Sequence, residues 1–262
     1  MDYVATYSLT PDPDLVETCR GRSGLAVAEI AGRDSIAALA AVALERDLRV
    51  VVPTSVVTGT EYGDPGSPER AVAFARSLLA EVEFTPLLRI GDPRLWRALN
   101  GRYARVIGDR FGLCSPCLAC HLYMHLCRVP LARALGGVPV IAGERESHDG
   151  RIKLSQTPLG IDIYAEVLGS VDMELLQPLR HASDTEIAKL LGEGWPAESG
   201  QLECVHSENY ADLEGIVSYD QTAYATYAES FLRPAGMALA AALVSGSDPD
   251  YTAMVRAILG DA

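Results

Sequence analysis

Along the first two-thirds of the chain, short apolar runs of strand length alternate with segments whose apolar residues recur at helical spacing. The run that starts at Leu25 breaks at Ala31-Gly32-Arg33-Asp34-Ser35 and resumes as an Ala/Leu-rich stretch to Leu44 with strong helix propensity. Leu48 to Val52 reads as a second buried strand that runs into Pro53. Pro68 to Val82 predicts a helix with Ala71, Phe74, Ala75, Leu78 and Leu79 on one face. Phe84 to Ile90 reads as a third strand. Asp92-Pro93 caps a helix that carries Leu95, Trp96, Leu99 and Tyr103 and runs to about Ile107. A helix after the cysteine run reaches about Leu135, where Gly136-Gly137 ends it, and Val138 to Ala142 is a fourth strand. Ile161 to Leu168 predicts a helix, Met173 to Leu176 a short strand, and Asp184 to Leu191 a helix capped by Asp184. Gly194 to Tyr210 reads as irregular, and Thr222 to Leu259 as largely helical and rich in Ala. Residues 1–24 are a polar lead-in, read as an edge hairpin.

The alternation predicts an α/β fold: a parallel sheet with helices on both faces and a helical C-terminal part. Ligands of such sheets sit beyond the carboxyl ends of the strands, so the loops at 31–35, 58–62 and 143–151 can line one pocket. The 262 residues fit one large domain, or one domain with a smaller C-terminal part, and 48% hydrophobic residues supply a sizeable core. A formal charge of -13 argues against general nucleic-acid binding, because phosphate contacts ask for a basic balance. The N-terminus lacks the pattern of a signal peptide, and no uncharged run approaches the ~20 residues of a membrane span. The expected location is therefore cytoplasmic, with no membrane partner, and the six cysteines read as thiols or metal ligands rather than disulfides.

A strand, a tight turn and a helix in that order put backbone N–H groups and a helix N-terminus at the turn, which makes an anion site. Gly32 lets the backbone come close to a ligand, and Asp34 or Ser35 can cap the helix. An ordinary βα turn carries the same pattern. The stretch Ile30-Ala31-Gly32-Arg33-Asp34-Ser35 resembles the Ser-Gly-Gly-x-Asp-Ser loop of the PP-loop ATP pyrophosphatases, with Gly32, Asp34 and Ser35 matching and Ile30 and Ala31 standing in for Ser and the first Gly. Thr58-Gly59 resembles the Thr-Gly of the phosphoadenylylsulfate reductase branch. Gly143-Glu-Arg-Glu-Ser147 with Arg151 resembles that branch's Gly-x-Arg-x-x-Glu-Ser loop, one residue short. The resemblance covers roughly residues 22–155. It implies a Rossmann-like, HUP-type sheet, with residues 1–24 as lead-in, 25–195 as the nucleotide-binding domain and 196–262 as a mostly helical C-terminal region.

In such enzymes ATP is split to AMP and pyrophosphate while a substrate oxygen is adenylated, and sulfur or nitrogen then displaces AMP. The loop must neutralise and orient a triphosphate. The backbone of Ala31, Gly32, Arg33, Asp34 and Ser35, the Ser35 hydroxyl, and Arg145 or Arg151 are the candidates. Asp34 would hold Mg²⁺ or the loop itself. Thr58, Gly59, Gly143 and Ser147 complete the expected nucleotide contacts, and Lys153 and Gln156 are candidate phosphate or substrate contacts. Asp34, Ser35 and Arg145 are the expected catalytic residues.

Cys114-x-x-Cys117-x-x-Cys120 puts three soft ligands within seven residues at the start of a helix. Thiolates there suit zinc or an iron–sulfur cluster, against the alternative of buried free thiols. Cys204 lies in an irregular segment and can fold back as a remote ligand. His121 and His125, four residues apart, are further candidates, and Cys127 fits a buried helical position. Two branches of the superfamily carry such cysteines. Iron–sulfur thiolation enzymes hold a [4Fe-4S] cluster on three cysteines, an arrangement that 114/117/204 and 114/117/120 both fit. The 7-cyano-7-deazaguanine synthases hold structural zinc on a run like this one with a further cysteine a short way upstream; this chain has no cysteine between Cys19 and Cys114, so that ligand is absent at its expected place.

The leading expectation is an ATP-dependent sulfur transferase that adenylates a small-molecule or carrier-bound substrate and draws on a sulfur donor. A zinc-containing amide- or nitrile-forming ligase is the alternative. A nucleotide-binding regulator without chemistry is a third, suggested by Ile30-Ala31. The Ala-rich C-terminal helices could pack against a second copy as a homodimer.

Overall fold

The structure, a computed structural model, describes residues 7–113, 115–146, 148, 150–195 and 201–261. A short helix α1 (Pro13–Cys19) precedes β1 (Leu25–Glu29), α2 (Arg33–Glu45), β2 (Val50–Val56), β3 (Glu61–Tyr62) and α3 (Ser67–Leu78). Then come β4 (Glu83–Phe84), β5 (Leu88–Ile90), α4 (Pro93–Trp96), α5 (Ala104–Phe111), α6 (Cys117–Leu126), α7 (Val129–Ala134) and β6 (Val140–Ile141). The chain continues through α8 (Pro158–Gly169), β7 (Leu175–Leu176), α9 (Asp184–Leu191), β8 (Glu203–Cys204), α10 (Gln221–Tyr227), α11 (Arg233–Val244) and α12 (Tyr251–Asp261).

The main sheet is parallel and runs β4-β2-β1-β6-β7, with β5 pairing the far end of β2. β3 and β8 form a separate antiparallel pair. The α/β expectation is met, with β1 at the centre. Alternate residues of β1 feed two cores. Leu25 and Val27 join Val50, Val52 and the helices α6, α7, α8 and α11 on one face. Ala26, Ala28 and the following Ile30 join α2, α3 and α9 on the other. A strand covered on both faces needs a continuous apolar run, which explains why no alternation is visible there. The residues of α2 from Ser35 to Val42 are all buried, because the helix is wedged between the sheet, α3 and α9. Its alanines let it approach the equally small Ala26 and Ala28.

Several expectations need correction. The lead-in contains α1, capped by Asp12 with Pro13 in its first turn, rather than a hairpin. The third strand is two pieces: β4 pairs Val50 and Val51, and β5 pairs Thr54 to Val56. The break lies opposite Pro53, which has no N–H to offer a neighbour, and Pro86 interrupts the other side. The helix from Pro93 is α4 followed by a π-helical turn at Arg97–Gly101 and then α5. Gly32, not Asp34 or Ser35, is the N-cap of α2. Ser183, not Asp184, caps α9, its hydroxyl accepting from Glu186 N while the Glu186 carboxylate accepts from Ser183 N. That leaves the Asp184 side chain free for other partners. No helix among the described residues is long and apolar enough to cross a membrane.

Candidate functional site

Because β1, β2 and β6 are parallel, the loops that follow them meet at one edge of the sheet. The loop after β6 is pressed onto the start of α2. A Cβ on Gly143 would fall 2.6 Å from Ser35 N and 2.7 Å from the Asp34 carbonyl carbon, so only glycine fits. From this contact the next residues diverge. Glu144 turns toward α6 and Arg145 toward α2.

Arg145 is buried, donating from Nε to Asp34 Oδ2 at 2.9 Å and from Nη2 to Asp184 Oδ1 at 3.0 Å. Arg33 also reaches Asp184, donating to its Oδ1 and its backbone carbonyl, both at 3.1 Å. The remaining nitrogen of Arg145, Nη1, is buried without a hydrogen bond among the described residues. His148 is buried beside it, and neither ring nitrogen makes a well-formed hydrogen bond among the described residues. Burial, with Lys153 and Arg145 nearby, pushes the His148 imidazole down to about 4, so the ring is neutral at pH 7. Lys153 is exposed as a residue, yet its ammonium is desolvated enough to fall below the usual lysine range, with Asp34, Arg145 and Glu144 in electrostatic reach. Buried polar atoms without partners cost stability unless a ligand meets them, so Arg145 Nη1 and the His148 ring are candidate ligand contacts.

The Ser35 hydroxyl turns back on its own loop. It accepts from Ala31 N at 3.0 Å and Gly32 N at 3.1 Å and donates to Gly32 O at 2.7 Å. Ile30 is core rather than ligand. Thr58 N and Gly59 N donate to the Glu61 carboxylate at 2.6 and 2.8 Å. Arg151 is exposed, and Gln156 Oε1 is buried without a partner among the described residues. Ser147 lies outside the described residues, as does Cys114.

The segment from Gln201 to Asn209 crosses the mouth of this site. Gln201 lies on Gly32, its Oε1 2.3 Å from where a Cβ would stand. β8 pairs with β3, which sets Cys204 Sγ 3.3 Å from Thr60 Oγ1. Further on, the Cys117 thiol sits 3.8 Å from His206 O and 3.5 Å from Asn209 Oδ1. Cys117, Cys120 and Cys204 are close enough that each of the other two thiolates would raise the Cys120 pKa. Burial is the larger cause and, even with Trp96 donating to its sulfur, carries Cys120 up to about 12. Cys117 is raised as well, chiefly by burial. Cys117 and Cys120 are thus soft donors shielded from water, with Cys204 in electrostatic reach, which suits a thiolate-held centre in kind. The described residues by themselves contain no group of three His, Cys, Asp or Glu side chains arranged to hold a metal ion. A recess of about 270 Å³ lined by Ser115, Leu154, Tyr210 and Tyr219 opens beside this turn. A larger one, about 460 Å³, lies among Leu44, Arg46, Leu78 and Val82, next to the segments that lead into β2 and β4 and away from the chemistry.

Between the anion cluster and the cysteine turn lies a polar group that the sequence motifs did not single out. Glu144 Oε1 accepts from His121 Nδ1 at 2.9 Å and from His125 Nε2 at 3.1 Å. Burial alone would raise this carboxyl, but the two imidazoles hold it well below the usual carboxylate range. Below it, Glu29 Oε2 accepts from Gly143 N at 3.2 Å, and its Oε1 faces the buried Arg128 at 3.8 Å. The i, i+4 spacing of His121 and His125 was the only trace of this group in the sequence; Glu144, His148, Asp184 and Gln201 left none.

No protein-family profile matches the chain. An archaeal protein, "Uncharacterized protein MJ0009" of Methanocaldococcus jannaschii, is 34% identical over 218 residues, which are 81% of this chain and 78% of that protein. The chain belongs to the family of that protein. Among solved structures, "Crystal structure of a 4-thiouridine synthetase - RNA complex with bound ATP" aligns at a TM-score of 0.49 and 18% identity. The alignment covers 87% of this chain and 55% of the other, so the family member described here spans little more than half the length of that synthetase chain.

Proposed function

We propose that the chain binds ATP at the 31–35 loop, adenylates an oxygen of a small-molecule or carrier-bound substrate, and lets sulfur displace AMP at the cysteine turn. The observation that carries this reading is the buried Arg145 Nη1 and His148 ring, neither with a well-formed hydrogen bond among the described residues, together with Lys153 at the N-terminus of a thirteen-residue helix. Each would gain a partner from a polyphosphate. Asp34, freed from Arg145 when that guanidinium turns to phosphate, is the carboxylate available for Mg²⁺. The substrate oxygen attacks the α-phosphorus, the α–β phosphate bond breaks, and pyrophosphate leaves with its charge matched by Arg145 and Lys153. Cys117 and Cys204, with Cys114 or Cys120, would hold a [4Fe-4S] cluster, which when bound supplies the sulfide for the second displacement. The protein side of that step is enclosure: Cys120 and Trp96 wall the turn, and the 201–209 segment closes it.

The test is elemental and visible-spectrum analysis of anaerobically purified protein, together with ATP titration of wild type and Asp34→Ala. Expected are about four irons with matching acid-labile sulfide per chain, and at least a tenfold loss of ATP affinity in the variant with iron unchanged. One colourless zinc per chain would replace the sulfur-transfer reading with the amide-forming ligase. Absence of ATP binding by the wild type would overturn the nucleotide reading itself.

A further inference from the structure

The recess of about 270 Å³ beside the cysteine turn has no part in nucleotide binding as described above. Pockets that take drug-sized ligands run from about 300 to 1,000 Å³, so this one suits a group of one or two rings and not a nucleotide. Two of its lining residues, Leu113 and Leu154, are buried and apolar. Tyr210 and Tyr219, both half-buried, add aromatic wall. Tyr219 is held in place: its ring meets that of Tyr224 at 60°, centroid to centroid 5.3 Å. The Tyr224 hydroxyl is in turn bonded to Thr157 Oγ1 and donates to Leu154 O at 3.1 Å. An aromatic wall that is fixed in this way packs a flat ring better than a puckered one.

The polar part of the lining narrows the class of ligand. Asp220 caps α10, its Oδ1 accepting from Thr222 N at 2.8 Å and from Ala223 N at 3.1 Å. Its other oxygen is left for a ligand at the rim. Among the described residues that line the recess there is no Lys, Arg or His. An anion there meets a carboxylate and no cation, whereas an N–H donor meets an acceptor. The recess is also joined to the cysteine turn by printed contacts of its own wall. Ser115 donates to Asn209 Oδ1 at 3.2 Å, and that same oxygen lies 3.5 Å from the Cys117 thiol. A hydrogen bond between Ser115 and Cys117 works against the burial that raises this thiol. A ring in the recess therefore lies one side chain away from Cys117.

We propose that this recess binds a flat ring bearing N–H donors, uncharged or cationic, packed by Tyr210 and Tyr219 and hydrogen-bonded to Asp220. That the ring belongs to the substrate rests on the sulfur-transfer reading above; that the recess takes such a ring does not.

The test is NMR titration of the full chain with three probes. Benzamidine is a flat ring with N–H donors, benzoate the same ring with a carboxylate, and cyclohexanecarboxamidine the same donors on a puckered ring. Wild type is expected to bind benzamidine about fivefold tighter than benzoate, the factor that a pair of unit charges about 4 Å apart supplies in water, and tighter than cyclohexanecarboxamidine. Asp220→Asn keeps a good cap on α10 and removes the charge, so the preference over benzoate falls toward one. Ala223 lines the recess from the first turn of α10, outside the buried core. Ala223→Leu therefore fills the recess, and benzamidine binding is lost while ATP affinity stays near that of wild type. Benzoate or cyclohexanecarboxamidine binding as tightly as benzamidine, or no binding of any probe at millimolar concentration, overturns the proposal whether or not the variants fold. Undiminished benzamidine binding by Ala223→Leu places the probe elsewhere and also overturns it. ATP binding with any of these results leaves the nucleotide reading standing and this proposal refuted. Failure of wild type to bind ATP while the probe preferences hold refutes the nucleotide reading and leaves the recess as a binding site.

Discussion

Gly143 shows how much of this site depends on single atoms. With 2.6 Å between its absent Cβ and Ser35 N, alanine must push the β6 loop off α2, and the obstacle is backbone rather than a flexible side chain. Gly143→Ala is expected to cost about 1–3 kcal/mol and to weaken ATP binding by separating Arg145 from Asp34. Chemical denaturation and ATP titration would read both effects, and a variant of wild-type stability would show that the loops are not in this contact. The Ser35 hydroxyl is a second case. The motif suggests a phosphate ligand, yet the side chain serves its own loop through three hydrogen bonds. The departure at Ile30 and Ala31 fits the same picture: Ile30 packs under α2, and Ala31 offers its N–H to Ser35. Under the proposed function, phosphate neutralisation falls to Arg145 and Lys153, both named by the sequence motifs, with the neutral His148 ring beside Arg145. His148 carries no local pattern, because its burial beside Arg145 comes from the fold of a loop rather than from a periodic element.

At the scale of elements, the two-residue strands β3 and β8 matter out of proportion to their length. They are too short for any hydrophobic pattern to announce, and their pairing is what brings Cys204 to the cysteine turn. Val205 N donates to Thr60 O at 2.9 Å, and the Val205 side chain faces solvent. Val205→Pro deletes that donor without touching the core. The expected result is the same loss of bound iron as in Cys204→Ser, with the unfolding midpoint and ATP affinity near wild type. Full iron retention in both variants would remove Cys204 from the ligand set. α2 is the opposite case, since its existence and burial follow from composition: an Ala-rich helix after an apolar strand packs on the sheet, and only its cap at Gly32 was not legible. The divided third strand lies between these extremes. Pro53 and Pro86 are visible in the chain, but that one pairing partner is cut because the other lacks an N–H is a property of the assembled sheet.

For the whole molecule the balance of charge is the feature to explain. The chain carries a net -13, with twenty arginines but only two lysines, Lys153 and Lys189. At the carboxyl edge of the sheet Arg33, Arg145 and Lys153 stand beside Asp34, Asp184 and Glu144, so cations offset the acidic total there. Because the Lys153 amine has a lowered pKa, more of it is neutral and nucleophilic at a given pH than of an ordinary exposed lysine. An acylating reagent at about pH 8, below the usual lysine range, should therefore label Lys153 ahead of the exposed Lys189, and ATP should protect it. Equal labelling, or no protection, read by peptide mass spectrometry, would place Lys153 away from nucleotide. The sequence alone determined the fold class, the central strand–turn–helix and the loops that share one edge, because apolar periodicity, helix propensity and the handedness of parallel crossovers are local or nearly local properties. The tertiary structure alone decided that Ser35 binds its own loop, that Asp184 shares Arg145 with Asp34, that Glu144 joins two histidines between the two halves of the site, and that Cys204 comes within electrostatic reach of Cys117 and Cys120. Those contacts join residues far apart in the chain, and the burial that gives them their chemistry exists only once both sides of the sheet are covered.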